Sequence, residues 1–151
     1  MKVKEIMKKE VITVSPDTSF EEGVKLLFKS RISGMPVVNR RKTVVGLVSE
    51  KDFFRALHPS YQEYYESPIS FTKFEELERD ALAKVKSLKV RDIMTQEVEA
   101  VSVNTPLLKI GAIMLAKHIH RLPVIDGRRK LLGIVSRRDI YRAIFRNAFD
   151  L

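Results

Sequence analysis

The chain has 151 residues, 44% of them hydrophobic and 31% charged, with 28 Lys and Arg against 19 Asp and Glu for a net charge of +9. This is the balance of a globular chain of one domain, or of two small ones sharing a core, and the positive excess favours an anionic partner. The absence of Cys excludes a disulfide framework, a Cys zinc site, an iron–sulfur cluster and a thiol nucleophile. No run approaches the ~20 apolar residues of a membrane span. The opening Met1-Lys2-Val3-Lys4-Glu5 is charged, with no signal-peptide core behind it. The expectation is a soluble, cytoplasmic protein that does not engage a membrane.

The chain repeats itself. At an offset of 87 residues, Val3–Leu57 aligns without a gap on Val90–Ile144, with 18 identities in 55 positions. An internal repeat of this kind governs the whole fold. In chain order, Val11-Ile12-Thr13-Val14 reads as a short β-branched strand stopped by Ser15-Pro16-Asp17. Thr18 with Glu21 reads as a capping box, and the spacing of Phe20, Val24, Leu27 and Phe28 predicts a helix over 19–30. Pro36-Val37-Val38 and residues 43–48 read as two strands joined by the polar turn Asn39-Arg40-Arg41-Lys42. A second helix follows Ser49. In the second copy Thr105 is the expected N-cap with Pro106 at the first helical position, and the turn is Asp126-Gly127-Arg128-Arg129. Each repeat is therefore β-α-β-β-α, an α+β unit with an open sheet edge. Two copies can cover one another through a pseudo-twofold axis.

Three segments follow: repeat 1 at 1–57, a connector at 58–89, and repeat 2 with a C-terminal helix at 90–151. In the connector, Thr72 with Glu75 and the stripe Phe74, Leu77, Ala81, Val85, Leu88 predict a helix at about 73–88. It also holds Tyr61, Tyr64, Tyr65, Phe71 and Phe74, which suit packing onto the repeats, a dimer contact or a lid. The C-terminal stripe Ile140, Tyr141, Ile144, Phe145, Ala148, Phe149 is apolar over an arc wide enough for its own core and a second copy, which predicts a homodimer.

The paired motifs resemble those of the CBS domain, named for cystathionine β-synthase. They are Glu5-Ile6-Met7 and Asp92-Ile93-Met94, the first strand and turn, Met35-Pro36-Val37 and Leu122-Pro123-Val124, and Gly-h-Val-Ser-x-x-Asp at 46–52 and 133–139. The whole chain is similar to a tandem pair, or Bateman module. The resemblance implies a regulatory module that binds AMP, ADP, ATP or S-adenosylmethionine in clefts between paired repeats, with no resident cofactor or metal.

On spacing alone, Ser-x-x-Asp is a helix capping box. The resemblance makes Asp52 and Asp139 ribose ligands, with Ser49 and Ser136 beside them. Gly46 and Gly133 would let a ligand approach the backbone. His118-Ile119-His120 alternates as an extended segment would, but the chain offers few further metal ligands. A His-Arg pair before this motif also occurs in the regulatory gamma subunit of the AMP-activated protein kinase, which makes His120 and Arg121 phosphate contacts. Copy one has Ser33 and Gly34 there, so the two clefts should differ. Arg137 and Arg138 oppose the dipole of their own helix, a cost that an anion would offset, and Lys51 is their counterpart. The adenine slot is assigned to Val11, Ile12, Thr13, Met35 and Pro36 in copy one, and to Val98, Ala100, Leu122 and Pro123 in copy two. Glu99 departs from the family's apolar pattern there.

No hydrolase elbow, phosphate-binding loop, dinucleotide fingerprint or zinc-protease motif is present, so catalysis is not expected. Two other functions compete with sensing: a structural dimer with empty clefts, and a basic nucleic-acid binder. The second is disfavoured, because no nucleic-acid motif appears and the charge is split between the repeats rather than piled in a tail.

Overall fold

The computed structural model describes residues 1–58, 65–66 and 71–151, with only the backbone at 71 and 72. After a 3-10 turn at Val3–Glu5 come α1 (Phe20–Ser30), β1 (Gly34–Val38), β2 (Val44–Ser49), α2 (Glu50–Ala56), α3 (Phe71–Val85), α4 (Val90–Ile93), α5 (Leu107–Lys117), β3 (Arg121–Ile125), β4 (Leu131–Ser136) and α6 (Arg137–Phe149). The chain forms two units. One holds Met1–Ile12, Val38–Val45 and Glu97–Leu151; the other holds Thr13–Val37 and Gly46–Gln96. Each unit therefore takes the opening segment of one repeat and the body of the other.

In the first unit β3 and β4 pair antiparallel from Arg121 opposite Ser136 to Ile125 opposite Leu131. Val101 bridges β3 on its far side, in parallel to Val124. The other edge of β4 is closed by Lys8, which exchanges both backbone bonds with Ile134 at 3.0 and 2.9 Å. An exposed edge would otherwise present unpaired backbone groups. Further upstream, Val3 N–H donates to Thr105 and Lys4 N–H to Val103. Glu5 closes this short turn by accepting from Lys2 N–H at 2.8 Å. Val3 is fully buried in a core of Leu107, Ile110, Met114, Leu122, Val124, Val135 and Ile140. Burying such a side chain contributes about 1.5–3 kcal/mol.

The second unit repeats this wiring 87 positions on. Thr95 exchanges both backbone bonds with Leu47, at 3.0 and 2.9 Å, while Val90 N–H donates to Thr18 and Arg91 N–H to Pro16. Val90 is fully buried, and Phe20 meets Phe53 edge-on at 5.0 Å. That contact needs Gly23, where a Cβ would stand 2.7 Å from the Phe53 ring.

Several local expectations change. The strand over 11–14 reduces to a bridge at Val14, and its twin to one at Val101. The cap of α1 is Ser19, whose Oγ accepts from Glu22 N–H at 3.1 Å, because Thr18 Oγ1 already accepts from Ser15 N–H. Pro106 is the N-cap of α5 rather than its first residue, and Thr105 pairs with Ser102 instead. The connector helix starts at Phe71, so Thr72 lies inside it, and it ends at Val85. Of its stripe only Val85 is buried, and Tyr65 is 90% exposed rather than packed. Tyr61 and Tyr64 lie outside the described residues. On α6, Ile140 faces the core while Tyr141, Phe145 and Phe149 form an exposed ladder of rings.

The two strand glycines explain the exchange. A Cβ on Gly133 would stand 2.8 Å from the Lys8 carbonyl and 2.9 Å from Met7 Sδ, and one on Gly46 would stand 2.6 Å from Met94 Sδ. The backbone approach expected there is made by the exchanged segment rather than by a ligand. Gly133→Ala should cost about 1–3 kcal/mol of stability through this overpacking. Gly111 in α5 has nothing within 4 Å of its Cβ position, so Gly111→Ala should add about 0.5–1 kcal/mol. Urea unfolding of the two variants checks both signs.

Candidate functional site

In the first unit, His120, Arg121, Ser136, Arg137, Arg138 and Asp139 lie where β3 begins, β4 ends and α6 starts. Ser136 is the N-cap of α6, with its Oγ accepting from Asp139 N–H at 3.1 Å and donating to Asp139 Oδ2 at 2.7 Å. Ser136 N–H adds a second bond to that Oδ2, at 3.0 Å. The carboxylate is thereby fixed through Oδ2, at a helix end that favours negative charge. Among the described residues the ion-pair partner of its Oδ1 is Lys8 Nζ, at 3.9 Å, and the Asp139 side chain is 21% exposed. An anchored carboxylate with one open oxygen is the arrangement a vicinal diol needs, since both hydroxyls can donate to it.

The sheet register delivers the cations to the same place. Arg121 stands opposite Ser136, and Arg137 N–H donates to the His120 carbonyl at 2.8 Å. His120, Arg137 and Arg138 are exposed and Arg121 is half-buried. His120, Arg121, Ser136, Arg137 and Asp139 thus form one cluster on one unit, combining an anchored carboxylate with guanidinium forks suited to phosphate oxygens. The extended His118-x-His120 does not form. His118 sits at φ 54° as the left-handed cap of α5, so the chain turns between the two imidazoles. Among the described residues no group of three or more His, Asp or Glu is placed to hold a metal ion.

The second unit holds the matching helix start with a different surround. Asp52 Oδ2 accepts from Ser49 N–H at 2.9 Å and from Ser49 Oγ at 3.1 Å, and Asp52 is buried, at 9% exposure. Glu50 N–H donates to the Ser33 carbonyl at 2.9 Å, the twin of the Arg137–His120 bond. Gly34 stands where Arg121 stands in the other copy, so that strand position supplies no guanidinium, and the Arg present is Arg31, which lines the same groove as Ser33, Glu50 and Lys51. Lys51 is exposed and borders a groove of about 1110 Å³ walled by Leu27, Phe28, Phe53, Phe54, Leu57 and Leu82.

The adenine assignments divide by burial. Met35, Pro36, Leu122 and Pro123 are buried core residues, and the carbonyls of Pro36 and Pro123 already accept from Val14 and Val101 N–H. Met35 and Leu122 thus offer no free side-chain surface to a base. Val11, Thr13, Val98 and Ala100 are half-buried and Ile12 is exposed, so any apolar wall falls to them. Glu99 forms an ion pair with Lys117, which satisfies its charge at the end of α5. The residue the sequence did not single out is Lys8. Its twin is Thr95, and only knowledge that each opening segment docks on the other repeat would place it beside Asp139.

A family model for the CBS domain matches residues 3–59 and 90–146. The chain belongs to the CBS domain family, as a tandem pair. It is 34% identical to the uncharacterized protein MJ1426 of Methanocaldococcus jannaschii, across 95% of this chain and 91% of that one. Its fold is similar to the crystal structure of the CBS domain pair of protein MJ0100 in complex with 5-methylthioadenosine and S-adenosyl-L-methionine, with a TM-score of 0.74, 26% identity, and 97% and 98% of the two chains covered. It is also similar to CBSX2 in complex with AMP, with a TM-score of 0.75, 29% identity and the same coverage. Among the described residues no helix is long and apolar enough to cross a membrane.

The two capping boxes are not equal, since only Ser136 also accepts from the backbone N–H of its Asp. Ser136→Ala should lower stability by about 1 kcal/mol and Ser49→Ala by less. Chemical denaturation of the pair of variants measures the difference.

Proposed function

We propose that the chain is a non-catalytic regulatory module that binds an adenine nucleotide or adenosyl compound at its Ser-x-x-Asp helix starts. The observation that carries this reading is Asp139, fixed through Oδ2, open at Oδ1, and clustered with His120, Arg121 and Arg137. Asp139 receives the ribose hydroxyls and the cations receive a phosphate. The Asp52 site lacks the strand guanidinium that Arg121 supplies to its twin, so it should hold a phosphate less tightly and favour the less anionic adenosyl compounds. The solved pairs that hold AMP, and 5-methylthioadenosine with S-adenosyl-L-methionine, support this class of ligand. Binding regulates by favouring one arrangement of the pair over another. We place the protein in the cytoplasm, where an effector protein reads this shift.

We also propose that the active form is a homodimer. Phe28, Phe54, Tyr141, Phe145 and Phe149 are 80%, 68%, 63%, 39% and 65% exposed on the outer faces of their helices. Large exposed apolar faces mark association surfaces. Sedimentation should show a dimer for the parent protein and a monomer for Phe54→Asp with Phe145→Asp. A parent protein that sediments as a monomer contradicts the dimer.

Thermal unfolding against AMP, ADP, ATP, S-adenosylmethionine, GTP and NAD tests the ligand class. A ligand at ~100 times its dissociation constant adds ~2.7 kcal/mol of stability. AMP or a relative should raise the midpoint. Asp139→Ala should remove that response, and Arg121→Ala should weaken it for phosphate-bearing compounds while sparing S-adenosylmethionine. If no adenosyl compound raises the midpoint, the sensing reading fails and a structural dimer with empty sites replaces it.

A further inference from the structure

The basic charge that the sequence divides between two repeats is reunited in space. The turn between β1 and β2 carries Arg40, Arg41 and Lys42, and the turn between β3 and β4 carries Arg128, Arg129 and Lys130. All six are exposed. Both turns belong to the same unit, and their backbones are bonded to each other. Thr43 bridges Lys130 antiparallel, Val44 N–H donates to the Arg129 carbonyl at 3.0 Å, and Leu131 N–H donates to the Lys42 carbonyl at 3.1 Å. Backbone partners in such a pair lie only ~4.5–5.5 Å apart.

Each turn is built to hold its shape. Asn39 Oδ1 accepts from Arg41 and Thr43 N–H at 2.9 and 3.0 Å, and Asp126 Oδ1 accepts from Arg128 and Lys130 N–H at 2.8 and 3.0 Å. Lys42 and Arg129 take the left-handed conformation, at φ 60° and 61°. Asp126 is the one acid in the two turns, and its carboxylate is occupied by these backbone donors. None of the six cations has an ion pair among the described residues. Elsewhere cations do find acids, as Lys25 finds Glu21, Lys117 finds Glu99 and Arg91 finds Asp17. Asp126, which attracts Lys130 and Arg128, offsets only one of the six charges; the remaining like charges, joined by backbone bonds, repel one another, and a polyanion relieves that repulsion.

We propose that the joined turns form a docking surface for the phosphate backbone of a double-stranded nucleic acid. The ridge is distinct from the Asp139 site, which lies at the opposite end of β3, roughly 14 Å away by strand rise. It does not rest on the ligand reading above. Four of the six cations are Arg, whose fork fits phosphate oxygens. The turn residues include no aromatic side chain, so they offer no stacking platform for single-stranded bases. They also present no apolar anchor of the kind that dominates protein interfaces. A duplex carries one negative charge per ~1.7 Å of axis, a density that a cluster of six cations can match.

Fluorescence anisotropy with labelled 20-base-pair DNA and RNA duplexes tests this, using the parent protein and Arg40→Gln/Arg41→Gln/Arg128→Gln/Arg129→Asn. Asn at position 129 keeps a residue that tolerates the left-handed conformation. The parent should bind at low salt. The variant should bind at least tenfold more weakly, with a log–log salt slope shallower by up to about 3.6, from ~0.9 for each phosphate that a removed Arg would neutralise. Lys84→Gln/Lys86→Gln, exposed at the C-terminal end of α3, should bind like the parent, and a circular dichroism melt should show that both variants fold. Three results overturn the proposal: no duplex binding at low salt, equal weakening in the α3 control, or competition by an acidic peptide stronger than by unlabelled duplex, which would assign the ridge to a protein partner.

Discussion

The structure depends on one exchange of backbone. Lys8 closes the edge of β4 and Thr95 closes the edge of β2, each through a reciprocal pair of hydrogen bonds to the other repeat. Gly133 and Gly46 make room for it, since any Cβ there would collide with Met7 or Met94. Val3 and Val90, both fully buried, anchor the same segments about a turn upstream. Each exchange therefore combines a closed sheet edge with a buried apolar anchor. A repeat without its partner's opening segment would expose both an unpaired edge and a hole in its core.

The site inherits its chemistry from that exchange. The capping box that holds Asp139 is local to repeat 2, but the cation beside its open oxygen arrives with residue 8 of repeat 1. Lys8 is largely exposed at 69%, so this pair is weak. The corresponding position beside Leu47 is Thr95, and Gly34 stands where Arg121 stands. The two helix starts thus share a carboxylate and differ in their cations.

Much of this was legible in the sequence, for identifiable reasons. The repeat, the two hairpins and the Ser-x-x-Asp helix starts follow from local rules: β-branched runs, polar turns and capping chemistry. The caps of α1 and α5 fall one residue beyond Thr18 and Thr105, because Ser15 competes for Thr18 and Ser102 for Thr105. The β-branched run over 11–14 pairs at a single point, since such residues also suit an extended segment outside a sheet. Met35 and Leu122 face the core rather than a ligand slot, because an apolar residue beside Pro in a strand serves the core first. Lys8 beside Asp139 and the union of the two basic turns were not legible at all. Both depend on contacts between residues far apart in the chain, and no local pattern encodes them.

The central claim is that the opening segment of repeat 1 is an integral part of the unit that carries Asp139. Amide hydrogen exchange at Lys8 and Ile134 tests it most directly, because these amides make the reciprocal bonds. If the segment is integral, both should exchange as slowly as the Val135 amide in the core of β4, released only by opening of the whole unit. Exchange at Lys8 near the rate of a fraying terminus, with Val135 still protected, would show that the segment is merely laid against the sheet and would contradict the account.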